Sequence, residues 1–148
     1  MDRWLPLLAT IGAGGVVALQ APVNSALGKA VGTFAAASFT FATGALVLVA
    51  IALLFGGGFG EISNVGHLSW YYLTGGILGA AYVTTVLVTV RSLGAGGVTA
   101  ATIAGQLTIS VLIDRAGYLG IDERALTPGR LLGMVLLVAG TFLIVSSE

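Results

Sequence analysis

The chain has 148 residues, six basic and six acidic, with zero net charge. Charged residues make up 8% of it and hydrophobic ones 57%, whereas an ordinary soluble domain carries about 25% charge. A soluble fold must cover its surface with polar groups, so this composition excludes one. Zero net charge and the lack of a basic patch exclude a nucleic-acid partner. There is no cysteine, hence no disulfide framework or thiolate site, and the one histidine, His67, makes no metal cluster. No cofactor and no metal are expected.

The few charges are clustered. Residues 4–28, 30–60, 62–90, 92–113 and 131–147 carry no Asp, Glu, Lys or Arg. A helix rises about 1.5 Å per residue, so ~20 apolar residues cross a ~30 Å hydrocarbon core. In lipid the backbone must satisfy its own hydrogen bonds, which leaves helices or a closed barrel. Alternation with period two is absent and Ala, Leu and Gly dominate, so the expectation is an all-α membrane protein. It would form a single five-helix transmembrane domain over 1–148, with spans at 4–28, 33–55, 68–90, 94–114 and 129–146.

The first span contains Pro6, Gln20, Pro22 and Asn24 and is expected to be retained rather than cleaved as a signal peptide. A short link at 29–32 leads to the second span. Residues 56–67 form a flexible loop, and Trp70-Tyr71-Tyr72 opens the third span as an aromatic belt at headgroup level. A tight hairpin turn is expected at 91–97. The most polar loop runs over 117–129, and Thr127-Pro128 is a suitable start for the last helix.

Five spans put the termini on opposite sides. Arg3, Arg115, Arg124 and Arg130 would share one side, Lys29 and Arg91 the other. The positive-inside rule favours a cytoplasmic N-terminus, but the bias is small enough to allow insertion in both orientations.

The spans hold hydrogen-bonding side chains in place of charges. Gln20 and Asn24 lie four apart, on one helical face. Pro22 between them removes a backbone hydrogen bond and frees a carbonyl. That face could line a polar cavity, or its amides could join helices together. The same alternatives hold for Gln106, midway along the fourth span. Tyr82, near the middle of the third, needs a partner for its phenol. Asp114 and Arg115 end the fourth span, as an interfacial ion pair or with Asp114 as a carboxylate at a pathway mouth. Small residues at Gly12, Gly14 and Gly15, and at Gly75, Gly76 and Gly79, would let helices approach closely. Gly133 and Gly140 are a heptad apart in the last span and could form a subunit contact. No catalytic residues, paired intramembrane carboxylates or phosphate loop are present, so an enzyme is not expected.

The order Gln20-xxx-Asn24-xx-Leu27-Gly28-Lys29, Ser38-Phe39-xxxx-Gly44, Trp70-xxxx-Gly75-Gly76-xx-Gly79 and Gly105-Gln106-xxxxxx-Ile113-Asp114-xx-Gly117 resembles the bacterial YdcZ-type family of inner-membrane exporters. That family belongs to the drug/metabolite transporter superfamily. The run from Leu132 to Gly140 is similar to the final helix of the related small multidrug resistance proteins. The resemblance implies half of an inverted-repeat transporter in the bacterial plasma membrane. It would pair as an antiparallel homodimer, or as a heterodimer with an oppositely inserted paralogue, through Gly133 and Gly140. Small multidrug resistance proteins carry a proton-exchanging glutamate in the first helix; Gln20 stands at the matching place and cannot titrate. Asp114 is then the acidic candidate for coupling. The expected function is export of a small-molecule solute by alternating access, with Gln20, Asn24, Ser38, Tyr82 and Gln106 binding it. A passive dimeric channel and a non-transporting membrane subunit are the alternatives.

Overall fold

The computed structural model describes residues 4–147. Asp2, Arg3 and Glu148, which enter the charge pattern, lie outside the described residues. Four helices carry the chain: α1 (Trp4–Val31), α2 (Thr33–Phe55), α3 (Gly75–Ala116) and α4 (Pro128–Ser146). Short 3-10 turns occupy Ile62–His67, Trp70–Thr74 and Tyr118–Gly120, and no strand occurs among the described residues. By length and hydropathy, all four helices can cross a membrane. Their large apolar side chains, from Leu5 and Leu8 to Leu136 and Phe142, are mostly exposed. A surface of that kind is stable in lipid and not in water, and the chain is an all-α membrane protein.

Two glycines break the helices. At Gly32 (φ 91°, ψ 154°) α1 ends and α2 begins without an intervening loop. Gly94 (φ 62°, ψ 173°) interrupts α3. Both lie near or within a backbone region that is essentially restricted to glycine, because a Cβ would collide with the chain. The hairpin turn expected at 91–97 therefore contracts to one residue, with Arg91, Ser92 and Leu93 still helical. α3 would be about 63 Å long if unbroken, twice the ~30 Å hydrocarbon thickness. The break divides it into residues 75–93 and 95–116, each of spanning length. The expected loop at 56–67 is partly ordered as a 3-10 turn, and α3 proper begins at Gly75, after the aromatic residues. Trp70 meets Tyr71 edge to face at 6.4 Å, and Tyr71 lies 4.5 Å from Tyr72.

The chain divides into two compact units, Met1–Val88 and Thr89–Glu148. In the first, α1 and α2 fold back on each other at Gly32, since Asn24 and Thr40, equidistant from it, are hydrogen-bonded. Ala36, Ala37, Val83 and Leu87 form its buried cluster, with Leu27 and Tyr82 packed against it. Two alanines on α2 let α3 come close. At Gly79 a Cβ would lie 3.2 Å from the Phe41 ring. No described atom lies within 4 Å of the corresponding position at Gly12, Gly14, Gly15, Gly75 or Gly76. Of these six glycines, Gly79 is the one that meets another helix among the described residues.

In the second unit, residues 95–116 and α4 run antiparallel. The Thr141 hydroxyl lies 3.1 Å from the Ala100 carbonyl at one end, and Arg130 reaches Asp114 at the other. Thr127 caps α4, accepting from the Arg130 backbone N–H at 3.3 Å, with Pro128 in the first turn. This is the expected start, and it satisfies a donor that the helix leaves open.

Candidate functional site

Asn24 is the one buried polar side chain among the described residues, at 6% exposure. Its position follows from the hairpin at Gly32: eight residues back along α1 it meets Thr40, eight residues forward along α2. The Thr40 hydroxyl donates to Asn24 Oδ1 at 2.8 Å and lies 3.0 Å from the carbonyl of Ala36. Thr40 thus fixes one end of the amide. The other end carries two N–H donors and has no hydrogen bond to a described residue. Gln20 is half-buried one turn earlier on the same face of α1. Pro22 lies inside α1 between them, so the carbonyl of Ala18 lacks its usual partner.

Tyr82 is half-buried on α3 and packs against the cluster that contains Ala36 and Ala37. Ala36 is one turn from Thr40, so Tyr82 and the Asn24–Thr40 pair share one packed region of the first unit. Ser38 does not join them. Two residues from Thr40, it points about 200° away around α2. It is exposed and donates to the Phe34 carbonyl of its own helix at 2.9 Å. Thr40, missed as a site residue, is marked in the sequence only by its symmetry with Asn24 about Gly32.

The remaining candidates belong to the second unit. Gln106 is exposed near the middle of 95–116. Asp114 does not pair with Arg115. Adjacent helical residues point about 100° apart, and each ion takes a partner across the loop instead. Asp114 Oδ2 accepts from Arg130 Nη2 at 2.7 Å, both side chains being partly exposed, while Arg115 pairs with Glu123. The Asp114 backbone carbonyl also accepts from the Arg124 N–H at 2.8 Å. Asp114 thus holds the 117–127 loop at one end and the start of α4 at the other. Gly133 and Gly140 lie on one face of α4, and no described atom lies within 4 Å of a Cβ built on either. Among the described residues no group of three His, Cys, Asp or Glu side chains could hold a metal ion.

No curated protein and no solved structure matches the chain. Residues 5–143 match the family described as "Putative inner membrane exporter, YdcZ". The chain therefore belongs to this family of multi-pass inner-membrane exporters, which are transporters rather than enzymes.

Proposed function

We propose that the chain is one subunit of a bacterial small-molecule exporter, of the drug/metabolite transporter superfamily, that works by alternating access as an antiparallel dimer. Gln20, Asn24, Tyr82 and Gln106 bind the solute, and Ser38, on the outer face of α2, meets it across a subunit contact. One observation carries the assignment: Asn24 is buried among apolar helices, clamped at one end by Thr40 and open at the other. A buried amide with unused donors is a binding group for a polar solute, because leaving those donors unpaired costs about 1–3 kcal/mol.

The break at Gly94 supports five membrane crossings, which would make a second copy in the opposite orientation its natural complement. The near-balanced charges support insertion both ways, and the uncovered Gly133/Gly140 face suits a helix contact between copies, with a paralogue as the alternative partner. Asp114 is the candidate coupling carboxylate, and its ion pair with Arg130 ties that role to the start of α4.

The test is a thermal-shift screen of polar solutes on purified protein, followed by transport of the hits in proteoliposomes. Gln20→Ala and Gln106→Ala should each abolish saturable transport while the protein elutes from a sizing column as wild type does. Undiminished transport in both variants rejects the site. Flux that never saturates with solute would instead indicate a passive channel.

A further inference from the structure

Residues 95–116 carry more hydrogen-bonding side chains than Gln106. Thr99, Thr102, Gln106 and Ser110 follow one another at spacings of three, four and four. At 100° per residue these positions fall within an arc of about 80°. They make one stripe that climbs roughly 16 Å, about half the hydrocarbon thickness. Gln106 and Ser110 are exposed, and Thr99 and Thr102 are half-buried. The same helix packs through Ala100 and Val111, about 120–140° around from the middle of the stripe, and through Val98 at its edge beside Thr102; the Ala100 carbonyl lies beside Thr141 of α4.

Hydroxyls in lipid usually fold back onto their own helix. Thr10, Ser38, Thr85 and Thr108 do so here, each 2.8–2.9 Å from the carbonyl four residues earlier. The side chains of Thr99, Thr102, Gln106 and Ser110 make no hydrogen bond to a described residue. Four such groups in register are costly against hydrocarbon and suited to water or a polar solute.

We infer that Thr99, Thr102, Gln106 and Ser110 form one wall of a water-filled solute route, a ladder along which a polar solute without net charge exchanges hydrogen bonds. The inference rests on Gln106 facing the solute and adds three residues and a solute class to that role. Each rung can both donate and accept, which suits hydroxyl- or amide-rich molecules. There is no ionisable side chain from Ser92 to Ile113, so a charged solute would find no counter-charge along the ladder.

The chain has no cysteine, so single-cysteine variants need no background removal. Thr99→Cys, Thr102→Cys, Gln106→Cys and Ser110→Cys would be reconstituted in liposomes and treated with a membrane-impermeant methanethiosulfonate. Ala101→Cys and Leu112→Cys, exposed but off the stripe, serve as controls. Thiols react as thiolates, which need water, so the four stripe positions should label about tenfold faster or more than the controls. Three of the four substitutions are nearly isosteric, so the test survives if Gln106→Cys fails to fold. Labelling of Gln106→Cys alone overturns the ladder and leaves the role of Gln106 intact. No labelling at any of the four overturns both. Oxidative cross-linking of two copies through these positions without labelling also overturns the route, because the stripe is then packed against a second subunit.

Discussion

Asn24 can serve packing, binding or both, and the two effects separate by magnitude. In Asn24→Ala the Thr40 hydroxyl keeps the Ala36 carbonyl as acceptor, so nothing is left stranded. Stability should fall by only about 0.5–1.5 kcal/mol. If the free end of the amide holds solute, transport should fall far more, by about tenfold or beyond. Thermal unfolding in detergent and uptake in liposomes measure the two, and parallel small losses would assign Asn24 to packing alone. Asp114→Asn poses a different problem. It deprives Arg130 of its carboxylate, while Arg130 Nη1 is already buried without a partner among the described residues. Because both ions are partly exposed, the expected cost is about 1–2 kcal/mol. Removing Arg130 as well should cost little more, and an additive double-mutant cycle would show that the pair does not hold α4. The identities of Asn24, Gln106 and Asp114 as candidates were legible in the sequence because polar groups are rare in apolar spans. Their partners were not, since Thr40 and Arg130 are each sixteen residues away.

At the scale of the element, the helices follow local rules. Long uncharged runs, Thr127-Pro128 at a helix start and Ala-rich faces all act within a few residues, so the sequence places the helical segments well. The sharpness of the breaks is less visible. The sequence offers several glycines around 94–97, and only Gly94 adopts the glycine-restricted conformation. Gly94→Ala should therefore cost about 1–3 kcal/mol, whereas Gly96→Ala, where no described atom lies within 4 Å of the added methyl, should be close to neutral. Thermal unfolding of the two variants checks this. Equal effects would mean that the break can move along the chain.

For the whole molecule, the decisive quantity is the distribution of six basic residues between the two sides of the membrane. Reporter fusions at the C-terminus should register both compartments. Two added arginines in the 118–126 loop should drive nearly all copies into one orientation. Fusions that always report one side would reject dual insertion and favour an oppositely inserted paralogue as the partner.

Membrane residence, helical class and the approximate segments are determined by the sequence alone, because charge and hydropathy act locally and add along the chain. Which side chains meet depends on rotation about each helix axis and on which faces pack. Those are settled only when the helices fold against one another. That is why the tertiary structure transfers Asp114 from Arg115 to Arg130, turns Ser38 away from Asn24, and leaves the side chains of Thr99, Thr102, Gln106 and Ser110 on one face without hydrogen-bond partners among the described residues.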